Sequence, residues 1–540
     1  MISVTSHSIA STGCSVMIPQ GSLGIRSVCP TAQRCLHASV SAFGGVPSQI
    51  TQPSDGTTTP NYTTAAKQVL GLNSATENSG PAKAVVTQTA ANGAPTKAQF
   101  LKHTFEKRAS RTEVTSRTKA LVKKLLLSES PSSKLLRIQE LSSHIIRFPP
   151  TRIIAAQHPR LIAELLSTVT SSEATGELRA EARQCLTLCG CQPAVKSRGV
   201  NLLSIDGGGT RGMMGLEVLE QLERVSGKKI CDLFDHVIGV STGSIIACLL
   251  VAKGYDVKEC REVYMDVSKK LFSQNRLTGV SGVVLNHSYY DTKKWVKILK
   301  EIIGDDLTTI ETSKACVPRL SIVASIVNSP VLQPYIFRNY EPPAGRDSHY
   351  RGSTGHYLWQ AIQASAAAPL YFEEVKLDNF VLQDGGVIAN NPTAIGIHEA
   401  KLLWPEERLH CVVSVGNGRS VCDLEQEESL NPSALSSLQK FNRIVDSATD
   451  TEAVHMCMHD LLDQNVYFRL NPYMSSPYGL DEIDPKKLEQ MQNDAKLYVR
   501  RNILKIEDAA ARLLQKPTVL QRNVRRFEQW MDEKGMYSPR

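Results

Sequence analysis

Gly239-Val240-Ser241-Thr242-Gly243 closes a short apolar run, His236-Val237-Ile238, and opens another, Ile245 to Ala252. That order reads as strand, sharp turn and helix, with a serine at the bend. Glycines at 239 and 243 remove side chains that would clash where the backbone bends hardest. The serine oxygen then stands at the end of a sheet, above a helix N-terminus. The free N–H groups and partial positive charge there favour a developing oxyanion. Taken alone, the G-x-S-x-G pattern fits a structural turn as well as a nucleophile elbow, because glycine and serine are common.

Upstream, Asn201-Leu202-Leu203-Ser204-Ile205 has a buried-strand pattern, and Asp206-Gly207-Gly208-Gly209-Thr210-Arg211-Gly212 follows it. Met213 to Val225 then carries Met214, Leu216, Leu219 and Leu222 at helical spacing. A glycine loop between a strand and a helix points several backbone N–H groups at one place, which suits a phosphate or an oxyanion. The loop also fits G-x-G-x-x-G. A dinucleotide site, however, needs an acid at the end of its second strand, and here that strand runs into Val240 and Ser241. Asp232 and Asp235 stand at its other end. No Gly-Lys-Ser/Thr completes a Walker loop.

Downstream, Phe380-Val381-Leu382 leads to Asp384-Gly385-Gly386. Asp-Gly-Gly fits a hairpin turn. It also fits a carboxylate at a strand end, with glycines that let the serine loop come close. Asn390-Asn391-Pro392 reads as a helix start, with an asparagine cap and Pro392 in the first turn.

Together these pieces resemble the patatin-like phospholipase family, and the resemblance runs from about Val200 to Leu470. It rests on DGGGTRG, GVSTG, the stretch from Ala364 through Ser365 and Pro369 to Phe372, and DGG, in that order. Shorter stretches are similar to the animal calcium-independent phospholipase A2 gamma branch: Phe272 to Asn275, Phe337 to Tyr340, Ser447 to Glu452, and Tyr467 to Arg469. The resemblance implies a three-layer α/β/α sandwich with a mostly parallel central sheet, preceded by helices. It implies Ser241 as nucleophile and Asp384 as its base, with no histidine. Backbone amides of Gly207, Gly208 and Gly209 would form the oxyanion hole, with Arg211 near the loop; Gly212, Gly239, Gly243, Gly385 and Gly386 complete the motifs. The implied reaction hydrolyses fatty acyl esters of glycerophospholipids, with no metal and no organic cofactor. Val415-Gly416-Asn417-Gly418 departs from the family's Leu-Gly-Thr-Gly loop, a difference that bears on the substrate pocket. Rival readings are a neutral-lipid lipase or acyltransferase with the same dyad, and a noncatalytic nucleotide or lipid binder using the glycine loop.

A free aspartate, with a pKa of ~4, is a weak base toward serine unless burial raises it. Four histidines follow Asp384, namely His398, His410, His455 and His459, and each reads as a surface or packing residue.

A length of 540 residues allows two or three units, and 41% hydrophobic residues support a sizeable core in part of it. Residues 1–95 lack an acid before Asp55 and carry Arg26 and Arg34 among many Ser, Thr and Ala. That composition fits a transit peptide and plain disorder equally, with a polar linker from Gln52 to Pro95. Residues 96–199 read as a helical, repeat-like region, with stripes at Leu135, Ile138, Leu141 and Ile145, at Leu161, Leu165 and Leu166, and at Leu178, Ala182 and Cys185. Residues 200–395 hold the motifs of the catalytic core, and 396–540 the remainder with C-terminal helices.

The net charge of +8 is concentrated in a basic run from Lys97 to Lys124, a solvated helix face or an attraction to anionic lipid headgroups. Arg522, Arg525, Arg526, Phe527 and Trp530 fit a packed terminal helix, with membrane contact as the other reading. No stretch reaches the ~18 apolar residues of a transmembrane helix, so the expected membrane contact is peripheral. Nothing resembles a nucleic-acid module. The expected setting is intracellular, with mitochondrion and endoplasmic reticulum both open; the chain ends Ser538-Pro539-Arg540, which is not the peroxisomal signal. Thirteen cysteines without a secretory signal suggest thiols. Cys185, Cys189 and Cys191 lack further ligands for zinc, and no EF-hand loop implies calcium.

Overall fold

A computed structural model of the chain describes residues 110–273, 290–420 and 450–536, all within one unit, His103–Arg540. The expectations for residues 1–95, for the first part of the basic run, Lys97 to Arg108, for Gln274-Asn275 and Ser447 to Thr449, and for the final tripeptide lie outside these residues.

Five helices come first: α1 (Arg111–Leu126), α2 (Pro131–Arg147), α3 (Thr151–Ala156), α4 (Pro159–Thr170) and α5 (Gly176–Leu188). Ser110 and Glu113 close a capping box on α1, satisfying N–H groups the helix cannot bond itself. Ile138, Leu141 and Ile145 of α2, Leu161 and Leu165 of α4, and Leu178, Ala182 and Cys185 of α5 form one core. Their spacing of three and four residues is what puts each set on one helix face. The basic residues of α1 (Arg117, Lys119, Lys123 and Lys124) are exposed, as a solvated face requires.

The sheet follows. Its strands are β1 (Val200–Ile205), β2 (His236–Val240), β3 (Arg319–Ile326), β4 (Gln333–Arg338), β5 (Arg351–Ser353), β6 (Val375–Leu377), β7 (Phe380–Asp384) and β8 (Leu409–Val415). A small ribbon pairs β9 (Arg419–Ser420) with β11 (Tyr473–Met474), and β10 (Tyr467–Leu470) completes the main sheet. Among the described residues that sheet has nine strands, with the order β10-β8-β1-β2-β3-β4-β5 and β6–β7 attached to β3. The pairs β10–β8, β8–β1, β1–β2 and β2–β3 are parallel. β3–β4 and β3–β7 are antiparallel.

Between and after the strands lie α6 (Gly212–Ser226), α7 (Ile230–Leu233), α8 (Thr242–Val251), α9 (Val257–Phe272), α10 (Thr292–Ile303), α11 (Leu358–Ser365), α12 (Gly386–Ala389), α13 (Thr393–Leu403), α14 (Glu452–Leu461), α15 (Pro485–Arg501), α16 (Ile503–Leu513) and α17 (Val519–Glu533). Alternate strand residues serve opposite layers. Leu203, Val237, Ile322 and Val413 meet Leu216, Ile246, Tyr264 and Ile506 of α6, α8, α9 and α16. Leu202, Ile238, Val323 and Val412 meet Ile395 and Ile397 of α13. Burial on both faces is why β1, β2 and β8 read as continuous apolar runs. Each fully buried Leu or Ile contributes ~1.5–3 kcal/mol.

One detail of register positions the site. β2 pairs with β3 up to Val240–Val323. β7 then takes over the same edge of β3, from Ala324–Asp384 onward, because β4 occupies the other edge. The residue after β2 and the last residue of β7 are therefore brought side by side.

Of the two readings of Asp-Gly-Gly, the structure has the strand end, running into α12, and not the hairpin. One local expectation shifts. Pro392 caps α13 from outside rather than occupying its first turn, while the Asn391 side chain still accepts from the Thr393 amide at 3.1 Å. The nine cysteines among the described residues are free, and these residues hold no cluster suited to a metal ion.

Candidate active site

Ser241 sits between β2 and α8 with φ 53° and ψ −125°, a left-handed conformation that a residue with a Cβ rarely adopts. Such strain is of order 1–3 kcal/mol and persists only where the surroundings enforce it. The flanking glycines show how. A Cβ on Gly239 would lie 2.3 Å from the Gly243 carbonyl oxygen, and one on Gly243 would lie 2.3 Å from that of Ile205. Larger residues would force the turn open.

The Ser241 hydroxyl donates to Asp384 Oδ2 at 2.6 Å. The other carboxylate oxygen, Oδ1, accepts from the Gly386 amide at 2.7 Å. Asp384 is buried, and burial pushes its pKa up to about 6, against the downward pull of the Ser241 and Gly386 hydrogen bonds. Among the described residues no cation faces it closely enough to reverse that shift.

Ser365, the last residue of α11, ties the pair together. Its Oγ accepts from the Ser241 amide at 2.9 Å and donates to the Val323 carbonyl at 2.6 Å. Its own carbonyl accepts from the Gly385 amide at 3.2 Å. Ala367 accepts from the Asp384 amide at 3.0 Å, and Ser325 Oγ donates to the Asp384 carbonyl at 2.9 Å.

The glycine loop lies alongside. Gly207 is engaged: its amide donates to the Asn390 carbonyl at 3.2 Å. The amides of Gly208 and Gly209 donate to no described residue. Tyr264 and Thr242 both donate to the Gly209 carbonyl, the latter at 2.9 Å, and Asn417 donates to the Asp206 carbonyl at 2.6 Å. Arg469 Nη2 holds the buried Asp206 carboxylate at 2.6 Å. The Arg211 guanidinium turns back to the Gly208 carbonyl at 3.1 Å, and Gly212 opens α6 against the Tyr264 ring. A cavity of about 410 Å³ opens over Ser241 and Asp384, walled by Leu271, Phe272, Trp295, Leu370, Val387 and Leu480.

Known proteins resemble the sequence across this region. Residues 203–397 match the patatin family, described as patatin-like phospholipase. Calcium-independent phospholipase A2-gamma of Oryctolagus cuniculus is 39% identical over 418 residues, covering 77% of this chain and 52% of that protein.

Residues 203–397 form a patatin-like phospholipase domain.

The Homo sapiens protein of the same name is 39% identical over 419 residues, 77% of this chain and 53% of that protein. Phospholipase A I of Arabidopsis thaliana is 30% identical, covering 59% of this chain and 28% of that protein. The chain thus spans about half the length of the gamma relatives.

The four histidines that follow Asp384 stay apart from Ser241. His410 Nε2 contacts the Arg512 carbonyl at 3.0 Å, His398 meets His349 edge to face, and His455 packs against His459 and Tyr467. None of them lines the cavity. Ser365 and Arg469 are the residues whose roles the motifs did not assign. Ser365 stood inside a stretch read only as similar to the family. The Arg469 contact spans 263 positions, beyond the reach of any local pattern.

Proposed function

We propose that this chain is a serine acyl hydrolase of the phospholipase A type, cleaving fatty acyl esters of glycerophospholipids without calcium. The observation that carries the reading is the 2.6 Å Ser241–Asp384 hydrogen bond beneath an apolar cavity. Curated relatives named calcium-independent phospholipase A2 support the substrate class.

Asp384 takes the Ser241 proton as Oγ attacks the ester carbonyl. A carboxylate shifted to about 6 is a better base than an ordinary one and is still largely ionised at neutral pH. The tetrahedral oxyanion is received by the amides of Gly208 and Gly209, with the N-terminus of α8 behind Ser241 adding favourable potential. One such donor is typically worth ~3 kcal/mol. The Gly207 amide, bound to Asn390, contributes by holding the loop rather than by meeting the oxyanion. Protonated Asp384 gives its proton to the departing lysophospholipid oxygen. Water, activated by the same carboxylate, then opens the acyl-enzyme and frees the fatty acid. No histidine is required.

The apolar walls suit acyl chains, and the protein would meet its substrate at a membrane surface peripherally. Among the described residues no helix is long and apolar enough to cross a membrane. The test is product analysis on phosphatidylcholine with different acyl chains at its two positions. Free fatty acid plus lysolipid from the native chain, and neither from Ser241→Ala, is the expected result. Hydrolysis by Ser241→Ala at the native rate would end the proposal. Transfer to an alcohol acceptor in preference to water would favour the acyltransferase reading.

A further inference from the structure

Beside the carboxyl ends of β8 and β10 lies a second cavity, of about 200 Å³. It shares no lining residue with the cavity over Ser241. β10 stands three places from β2 in the sheet, so the strands that carry the two cavities are ~14 Å apart. Three cations converge on the second cavity. Arg419 of β9 pairs with Glu452 of α14 at 3.2 Å and donates to the Tyr473 hydroxyl. Arg469 of β10 is engaged by Asp206 at 2.6 Å, with Glu452 3.7 Å away. The third cation, Lys505 of α16, has no acid of its own. Its ammonium donates to the Arg469 carbonyl at 2.8 Å, and among the described residues no carboxylate pairs with it. Partial burial, and then the charges of Arg419 and Arg469, hold its pKa below the ordinary lysine value. Three positive charges thus face two carboxylates, Glu452 and Asp206, and the surplus sits on Lys505. Acceptors are short as well. The Nε–H groups of Arg419 and Arg469 have no hydrogen-bond partner among the described residues, although buried donors ordinarily find one. α16 also starts beside the cavity, which Asn502 and Lys505 both line, and the partial positive charge of a helix start adds to the surplus.

We propose that this cavity binds an oxyanion of the phosphate class, as free inorganic phosphate or as the phosphomonoester of a lipid headgroup, with Lys505 as its principal charge. Guanidinium and ammonium groups are the usual receptors of tetrahedral oxyanions. The volume lies below the ~300–1,000 Å³ of sites for drug-sized ligands, which suits an ion or a single phosphoryl group. The carboxylate on the cavity wall, Glu452, is already met within that wall, by Arg419 and by the Asn471 side-chain amide at 3.0 Å. The site does not depend on the reading of Ser241 as a nucleophile.

The test is equilibrium dialysis of the full chain against radiolabelled inorganic phosphate at an ionic strength of ~0.15 M, set with sodium chloride. For a ligand of about five heavy atoms held by one surplus charge, the expected dissociation constant is about 0.1–1 mM. Lys505→Gln, at an exposed position, should keep the native circular dichroism and weaken phosphate about tenfold or more. Lys505→Arg should retain binding, and Ser241→Ala should bind as the native chain does. A second arm separates the sources: co-sedimentation with phosphatidylcholine vesicles, with and without phosphatidic acid. If Lys505→Gln weakens the free ion alone, the ligand is inorganic phosphate. If it also lowers retention on the phosphatidic acid vesicles, and not on the others, the headgroup is a ligand. Two outcomes overturn the proposal: a native chain that binds neither phosphate nor phosphatidic acid vesicles, or binding of both that Lys505→Gln leaves unchanged.

Discussion

Two buried carboxylates at opposite ends of the sheet behave in opposite ways. Glu399 of α13 lies toward the amino end, where Arg338 grips it with two hydrogen bonds of 2.8 Å. Tyr340 and Ser348 donate to it at 2.7 and 2.6 Å. Although burial alone would raise its pKa, these donors hold it down at about 2. Asp384, at the far end, is also buried but receives only a serine hydroxyl and one backbone amide, and it rises to about 6. The difference lies in the partner, not the depth. A guanidinium fixes a charge for the sake of the fold; leaving it out keeps a proton acceptor near neutrality.

The largest effect that would break this contrast is on catalysis. Asp384→Asn keeps the side chain's shape but cannot take a proton, and turnover should fall by about 10³-fold or more. Native kcat/KM, measured against pH, should rise through about 6 and level off above it. A profile flat from acid to neutral pH would deny Asp384 its role.

Next comes Arg338→Met, which strands the Glu399 charge. Removing one member of a buried ion pair costs about 3–5 kcal/mol, so urea unfolding should show a loss of that order. An unchanged midpoint would mean Glu399 is not held as described.

Stability at Asp384 should run the other way. Its folded pKa, about 6, lies above the ordinary 3.8, so the native state holds the proton more tightly. That contribution is present in acid and is lost as the pH rises through 6. Asp384→Asn should therefore unfold later than the native chain at pH 8, by up to about 3 kcal/mol. The gain should shrink toward pH 4; an equal or lower melting temperature at pH 8 would contradict the shift.

The smallest effect expected is for Ser365→Ala. It leaves the Ser241 amide and the Val323 carbonyl unpaired, a cost of about 1–3 kcal/mol. kcat should drop roughly tenfold or more with KM little changed. A change in KM alone would remove Ser365 from the positioning of the nucleophile.

What the sequence made legible was local. Strand, glycine turn and helix at Asp206 to Gly212 and at Gly239 to Gly243 each occupy a few consecutive residues, and their periodicity is unambiguous. The juxtaposition of Ser241 with Asp384 came from resemblance, since no spacing rule joins positions 143 residues apart. The engagement of Gly207 by Asn390 was hidden for the same reason: it depends on which carbonyl the fold brings across. α17 misled differently. The sequence read it as a packed terminal helix, yet Phe527 and Trp530 are exposed, because Arg525 and Gln521 set its orientation through bonds to distant carbonyls.

β3 touches β2 and β7 along one edge, and its Val323 and Ser325 bind the groups that fix Ser241 and Asp384. The two side chains proposed to react are thus hung from a single central strand rather than from separate loops. Heating should not loosen the pocket before the rest of the molecule melts. The temperature at which ester cleavage is lost should coincide with cooperative unfolding, with no inactive yet folded interval below it.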